Sequence, residues 1–275
     1  MKTLTLSLCL LAAVTAMAQY PQAHRLDLPA GAHHPVLSPD GGTLLFSSDI
    51  HTGLKALSLG SGEITEIDGA AIAGFQPSFS NDGTKIFYRT AAVVDGLSCR
   101  DVRCYDISRA HSERIAAPAR DNALAVAFAG GDYAMANYNT ISLSKDGVVK
   151  QLNPLSDSHS YLWASLSPDG SHLLFTEPFK GVFVSDADGS NPVRILDKGD
   201  FASWAGDHSV VAVVTADDGY VVLQSQLMLV NTRTGISRRL TPETVKVGEA
   251  SASPSGKVVY TDLDGNMFIL DLNDL

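Results

Sequence analysis

The residues of this sequence best suited to chemistry are its histidines, yet their spacing forms no catalytic or metal-binding motif. His33 and His34 are adjacent, so in a strand their side chains point to opposite faces and are poorly placed to hold one metal ion. The sequence contains no G-x-S-x-G elbow for a serine nucleophile, no H-E-x-x-H pair for zinc and no G-x-x-x-x-G-K loop for phosphate. These features favour a protein that is not an enzyme and that uses no cofactor.

Two acidic segments, residues 186–191 and 262–266, offer oxygen ligands at alternate positions, as the first part of a calcium loop does. Neither segment has the later glutamate of an EF-hand loop, and aspartate–glycine pairs are also ordinary hairpin turns. We therefore interpret both segments as turns and predict no metal site.

The first 18 residues have the features of a secretion signal. Lys2 precedes a short apolar core at residues 4–14, and Ala16-Met17-Ala18 forms a cleavage site, so the mature chain is predicted to begin at Gln19. The apolar core is shorter than the roughly 20 residues that span a bilayer, and no later segment replaces it. The protein is expected to be periplasmic or secreted.

Two cysteines follow the signal, Cys99 and Cys104, and an exported chain meets an oxidising compartment. Their C-x4-C spacing predicts a local disulfide, with free thiols as the alternative in a reducing compartment. The formal net charge of −10 would repel phosphate backbones and anionic lipid, so nucleic acid is excluded as a partner.

One pattern recurs along the chain: a strand that ends in serine, a Pro-Asp-Gly type of turn, and a second apolar strand. Proline presets the first corner of the turn, aspartate bonds its own backbone, and glycine accepts the left-handed conformation. From Gly41 to Gly256 there are five intervals over 215 residues, so the mean repeat is 43 residues, which is typical of a propeller blade. The best copies are residues 37–41, 79–83, 166–170 and 252–256, and altered copies occur at 128–132 and 204–208.

Each repeat is predicted to form four strands, because its segments alternate with period two and are rich in Val, Phe, Tyr and Thr. The fourth repeat shows them most clearly, at residues 163–167, 172–176, 181–185 and 193–196. The sixth repeat lacks an outer strand, and residues 24–29 resemble one. The sequence therefore predicts an all-β fold: a six-bladed β-propeller of four-stranded antiparallel blades over residues 19–275, closed by the N-terminal strand joining the last blade.

The Ser-Pro-Asp-Gly repeat, followed by an apolar strand and an aspartate–glycine turn, resembles the propeller repeat of TolB. This repeat type is also found in the propellers of prolyl-oligopeptidase-type peptidases and of some sugar-acid lyases. The resemblance implies an exported six-bladed propeller that binds partner proteins in the bacterial envelope. TolB has a separate domain before its propeller, whereas here the repeats follow the signal almost directly, so we expect a TolB-like protein that lacks this domain.

Aligning the repeats on the turn identifies a candidate binding surface. One equivalent position, near the start of each innermost strand, is predicted to line one mouth of the channel, and its varied residues are typical either of a binding surface or of solvent exposure. Two insertions, at residues 91–99 and 216–224, are further candidates; the second contains Tyr220, and each insertion has the alternative of only lengthening a hairpin. The residues at the equivalent position are His34, Gln76, Ala125, Trp163, Phe201 and Glu249.

These observations predict an exported, non-enzymatic binding module that recognises an envelope or extracellular protein. The alternative is a propeller enzyme or binder that acts on a sugar acid or another glycan through the central channel. A protein-binding module predicts an apolar or acidic patch near the inserted loops. The alternative predicts a deep channel with clustered basic residues or histidines.

Overall fold

The computed structural model describes residues 20–119, 132–137, 139–156 and 160–275. The predicted signal at residues 1–18 lies outside these residues, and so do Ala125 and most of the altered repeat copy at 128–132. Within the described residues, no helix has both the length and the apolar character needed to cross a bilayer.

The chain forms six antiparallel sheets, each of which is one blade of a β-propeller, as predicted. Neighbouring strands within a blade follow chain order, except in blade 6, where the outermost strand is the first strand of the chain. Blade 1 comprises β2 (His33–Leu37), β3 (Thr43–Ser47), β4 (Leu54–Ser58) and β5 (Ile64–Asp68). Blade 2 comprises β6 (Ser78–Phe79), β7 (Lys85–Val94), β8 (Leu97–Asp106) and β9 (His111–Ala119). The described strands of blade 3 are β10 (Tyr133–Asn137), β11 (Thr140–Lys145) and β12 (Val148–Leu152). Blade 4 comprises β13 (Leu162–Leu166), β14 (His172–Glu177), β15 (Gly181–Asp186) and β16 (Val193–Leu196). Blade 5 comprises β17 (Asp200–Trp204), β18 (Ser209–Asp217), β19 (Val222–Asn231) and β20 (Ser237–Arg239). Blade 6 comprises β21 (Val247–Ala252), β22 (Lys257–Asp262) and β23 (Met267–Asp271), and its outermost strand is β1 (His24–Arg25). A 3-10 turn, Leu272–Asp274, follows β23.

The repeated turn is held together by its serine. In blade 1 the buried Ser38 hydroxyl donates to Asp40 Oδ1 at 2.5 Å and accepts the Thr43 N–H at 2.9 Å. Asp40 also accepts the Gly42 N–H, and the hydrogen bond from Ser38 holds the pKa of its carboxyl below the ordinary value. Gly41 has a φ of +66°, which explains the glycine of the motif. The same serine–aspartate bond recurs in blades 2 and 4.

The second strand of each blade is buried on both faces, because successive side chains point to the two neighbouring blades. Leu44 packs with Val259 of blade 6, whereas Leu45, the next residue, packs with Ile86 of blade 2. Among the described residues there are six apolar clusters, one between each pair of adjacent blades. The ring of blade interfaces is therefore the hydrophobic core.

The N-terminal strand closes the ring, as the sequence predicted. β1 pairs antiparallel with β23, so that His24 lies opposite Ile269 and Arg25 opposite Phe268. The Leu26 N–H continues the ladder by donating to the Met267 carbonyl oxygen at 2.9 Å. The Leu26 side chain, together with that of Leu28, packs on the cluster between blades 6 and 1, so the closing segment also adds to the core.

The predicted disulfide between Cys99 and Cys104 is wrong. Both cysteines are free and buried, and both lie on β8, which pairs continuously with β7. Five residues of an extended strand span roughly 16 Å, far beyond the Cα separation of a disulfide, and an odd spacing points the side chains to opposite faces. The C-x4-C segment is part of a long strand and not a loop.

Removing the closing segment tests its contribution to stability. Deletion of residues 19–30 should lower the melting temperature by many degrees, because it exposes the edge of β23 and removes Leu26 and Leu28 from the core. Circular dichroism of the deletion and of an Arg25→Ala variant, which keeps the strand, would measure this difference. Equal melting curves for the deletion and the full chain would contradict the closure.

The state of the cysteines gives a second test. When the purified protein is unfolded in iodoacetamide without reductant, mass spectrometry should show two carbamidomethyl groups, on Cys99 and Cys104. The folded protein should react slowly, because both thiols are buried and burial raises the pKa of Cys104. A mass two hydrogens below that of the dithiol form, with no alkylation, would show that the disulfide does form.

Candidate functional site

The innermost strands share a local distortion that points one side chain into the channel. Pairing with the second strand shifts register between His33 and Val36, and equivalent shifts occur in blades 4, 5 and 6. Such a β-bulge leaves one residue unpaired and redirects its side chain. The bulge falls at the position that the repeat alignment selected, so the sequence pattern and the backbone irregularity coincide.

Four of these residues have left-handed backbone conformations that favour glycine. The φ angles are +59° at His34, +50° at Gln76, +46° at Trp163 and +54° at Phe201. Large side chains rarely adopt this region, and each such residue costs of order 1–3 kcal/mol. Glycine would adopt this backbone conformation at lower cost. The large side chains at these positions therefore indicate a role for the side chains themselves, beyond the path of the backbone.

Five of the six residues at the aligned position line one cavity of about 480 Å³ at the mouth of the channel. Ala125 lies outside the described residues, and Tyr220 lies away from the cavity, on a hairpin. Most of the remaining lining is apolar and includes residues that follow the bulge and the facing wall of blade 3. The predicted residues in the cavity are His34, Gln76, Trp163, Phe201 and Glu249.

His34 and Glu249 form the polar centre of the cavity. The His34 Nδ1 lies 2.5 Å from Glu249 Oε1, and the His34 backbone N–H donates to Glu249 Oε2 at 2.7 Å. The other ring nitrogen, Nε2, is 3.2 Å from the Asp49 carbonyl oxygen, which can only accept. Because both ring nitrogens face acceptors, the hydrogen-bond pattern assigns His34 as an imidazolium and Glu249 as a carboxylate.

The electrostatics agree with this assignment. Burial lowers the pKa of His34, but the hydrogen bond and charge of Glu249 outweigh it and leave the pKa above the ordinary 6.5. Burial likewise raises the pKa of Glu249, but the hydrogen bond and charge of His34 leave it below the ordinary 4.5. Since His34 belongs to blade 1 and Glu249 to blade 6, the pair also joins the two blades where the ring closes.

Sequence reasoning missed two aromatic members of the cavity, His51 and Phe75. The His51 ring stacks on His34 with a centroid separation of 3.8 Å, and its edge meets Phe75 at 5.0 Å. Burial and the positive charge of His34 lower the pKa of His51, so its ring is neutral at physiological pH. His51 lies in the turn between the second and third strands, outside the aligned position, and the repeat pattern gave no signal for it.

The opposite wall is formed by Trp163 and Phe201, from blades 4 and 5. Their ring centroids are 5.0 Å apart with the planes tilted by 46°. In a ring of six, blade 4 faces blade 1 across the channel, so aromatic rings line both sides of the cavity. Met135 of blade 3 lines the cavity between these two aromatic sides.

The two inserted segments are lengthened hairpins, which was the alternative considered for each. Residues 91–99 continue the β7–β8 ladder, in which Val94 pairs with Leu97 across an Asp95–Gly96 turn. Residues 216–224 extend β18 and β19 around a turn that holds Tyr220. Both tips project from the end of the ring at which the innermost strands begin, because every connection from a second to a third strand lies at that end.

We call this end of the ring the mouth face; its described tips are residues 48–53, 95–96, 178–180, 218–221 and 263–266 with their flanking strand ends. Each of these five tips carries a large apolar side chain in solvent, and the exposed fractions reach 96% for Tyr220 and 91% for Phe179. Exposed apolar side chains also occur at the other end of the ring, as at Val193 and Ile236, but on the mouth face every described tip carries at least one, which is typical of an interaction surface. The side chains on the mouth face are Ile50, Val93, Val94, Leu97, Phe179, Tyr220, Val221 and Leu263.

In the described part of the chain, no group of three or more His, Cys, Asp or Glu side chains is arranged to hold a metal ion. The two segments considered for calcium form hairpin turns. Asp186 accepts from Asn191, and Asp262 accepts the backbone N–H groups of Asp264 and Asn266. The Asp186 carboxylate thus binds side chains of its own turn, and the Asp262 carboxylate binds the backbone of its turn.

Comparison with known proteins identifies the fold and no closer relationship. No protein-family model matches the sequence, and no curated protein matches it. A structural genomics protein of unknown function from Bacteroides thetaiotaomicron has a TM-score of 0.61 and 12% identity over 91% of this chain and 72% of that chain. The tricorn protease has a TM-score of 0.54 and 14% identity over 90% of this chain and 26% of that chain.

TolB from Acinetobacter baumannii also matches, with a TM-score of 0.40 and 16% identity over 87% of this chain and 54% of that chain. The chain spans about a quarter of the tricorn protease and about half of TolB. At these identities the similarities establish the propeller fold alone.

The left-handed backbone at Gln76 can be tested by substitution. Gln76 is exposed and has a φ of +50°, so Gln76→Gly should remove strain and raise the melting temperature by about 1–3 °C. Gln76→Ala is the matched control, because it shortens the side chain and keeps the strain. Identical melting temperatures for the two variants in differential scanning calorimetry would show that the backbone there is not strained.

The His34–Glu249 pair predicts a pH dependence. His34 has a raised pKa, so its contribution to stability is complete below pH 6.5 and is lost as the pH rises through the folded-state pKa. Glu249 has a lowered pKa, so its contribution is complete above pH 4.5 and is lost as the pH falls through its folded-state pKa. The pair therefore stabilises the fold most between these values.

Melting temperatures measured from about pH 6 to about pH 9 should fall less for Glu249→Gln than for the unchanged protein, because the variant lacks the carboxylate that raises the pKa of His34. His24→Gln, at an exposed histidine, is the control and should keep the original slope. Parallel curves for all three proteins would exclude a role for the pair in stability.

Proposed function

We propose that this protein is an exported, non-enzymatic binding module that recognises an envelope or extracellular protein through its mouth face. The observation that carries the proposal is the placement of large exposed apolar side chains on all five described tips of this one face. A rigid ring of blades holds these tips in fixed relative positions, so little ordering entropy is lost when a partner binds.

Charge beside the apolar tips specifies the kind of partner. Four of the five tips carry an exposed aspartate next to the apolar side chain, as at Asp49 beside Ile50 and Asp218 near Tyr220. A complementary surface would present apolar side chains flanked by lysine or arginine. The net charge of −10 acts in the same direction, because it favours approach of a basic partner.

Several features support a binding role over catalysis. Two serine hydroxyls near the cavity accept backbone hydrogen bonds: that of Ser251 accepts the Leu37 N–H, and that of Ser203 accepts the Ala252 N–H. Each of these hydrogen bonds joins two adjacent blades. His34 has both ring nitrogens engaged and is not positioned to act as a base. The alternative ligand, a sugar acid, is favoured by the two cavity histidines, but the apolar lining would leave most sugar hydroxyls without partners.

Two substitutions at opposite ends of blade 5 test whether the partner binds the mouth face. Tyr220→Asp lies on the mouth face, and Ile236→Asp lies on the turn between the third and fourth strands, at the other end of the same blade. In crosslinked affinity capture from the protein's own envelope extract, the Tyr220 variant should lose at least tenfold of the specific partner. The Ile236 variant should retain it.

The identified partner should then bind as a purified protein, with an affinity that falls as salt is raised, because the flanking aspartates contribute. The crosslinked peptides of the partner should contain lysine or arginine beside apolar residues. Equal loss with the Ile236 variant, or no protein retained above a bare-resin control, would refute recognition through the mouth face.

A further inference from the structure

The cavity at the centre of the mouth face has the size and lining of a small-molecule site. Its volume of about 480 Å³ lies within the usual range for ligand pockets, and an apolar cavity of about 150 Å³ already accommodates benzene. The walls include Val36, Pro77 and Ala136 besides the aromatic side chains. A ligand of two or three fused or linked rings would fill this space.

Two walls of the cavity present aromatic rings to the same space. Phe75 and the neutral ring of His51 lie on the side of blades 1 and 2, and Trp163 and Phe201 lie on the side of blades 4 and 5. A ligand of two or three rings that filled the cavity would meet aromatic surface on both sides, in the offset or edge-on arrangements that such pairs prefer. Met135 adds a polarisable thioether to the third wall.

The cavity offers a ligand no unpaired charge. The imidazolium of His34 is matched by the carboxylate of Glu249, and each partner uses both of its polar atoms in this contact or against the backbone. A charged ligand would therefore lose its hydration without finding a free counterion. The lining thus disfavours both carboxylate and ammonium ligands.

We propose that this cavity binds a small uncharged aromatic compound, with its rings packed against the aromatic walls. The site is separate from the apolar tips that we assign to protein recognition. It goes beyond that function and stands or falls independently of it, because a different set of side chains carries it.

Calorimetric titration with phenol and indole as probes tests the proposal. Both compounds should bind saturably, with one site per chain and dissociation constants in the millimolar range or tighter. Benzoate, which has the same ring with a charge, should bind at least tenfold more weakly than phenol, and galacturonate should give no saturable heat. Trp163→Leu, which keeps apolar bulk but removes the ring, should weaken indole binding at least fivefold.

Phe179→Ala and Tyr220→Ala, on the tips, are controls that should leave the affinities for phenol and indole unchanged. Circular dichroism would establish that each variant is folded.

The absence of saturable binding for both phenol and indole would overturn the proposal. It would also be overturned by tighter binding of benzoate or galacturonate, or by indole binding that is insensitive to Trp163→Leu while a tip variant weakens it. Loss of partner capture by a tip variant that still binds indole would show that the two sites are independent.

Discussion

The burial of each second strand between two neighbouring blades is the interaction on which the rest of the structure depends. Leu44 and Leu45 are adjacent in the chain yet pack into different clusters, on opposite sides of blade 1. A shift of one residue in register would exchange the two sets of side chains, so the alternation fixes the register of the whole blade. A single blade would leave both apolar faces in water, and stability therefore requires a closed ring in which each blade covers its neighbours.

Closure explains why the interface between blades 6 and 1 carries contacts of several kinds. β1 completes the last sheet, Leu26 extends the apolar cluster, and His34 and Glu249 form an ion pair at the inner end of the same interface. These contacts join segments that are more than 200 residues apart in the chain, as the separation of 215 between His34 and Glu249 shows. The candidate site is thus assembled by the same step that completes the fold.

A rigid ring also allows unfavourable backbone at its centre. The bulged positions place His34, Trp163 and Phe201 in left-handed conformations that an isolated strand would not keep. The blades on either side hold these residues in place, and their side chains converge on one cavity. Around it, the hairpin tips leave apolar groups in solvent, where they contribute nothing to the core. The inner and outer parts of the mouth face therefore differ in chemistry: the inner part is an aromatic cavity in which the charges of His34 and Glu249 pair with each other, and the outer part is an exposed rim of apolar side chains beside aspartates.

The sequence by itself determined the repeat, its turn chemistry, the six blades and the closing strand, because these depend on local patterns that recur at a regular spacing. It also selected His34, Gln76, Trp163, Phe201 and Glu249, since equivalent positions in a closed ring must face the same channel. Only the tertiary structure showed that His34 pairs with Glu249, that His51 and Phe75 complete the cavity, and that Cys99 and Cys104 lie on one strand. Those facts depend on contacts between distant segments and on how far a hairpin continues, and neither is encoded in the spacing of nearby residues.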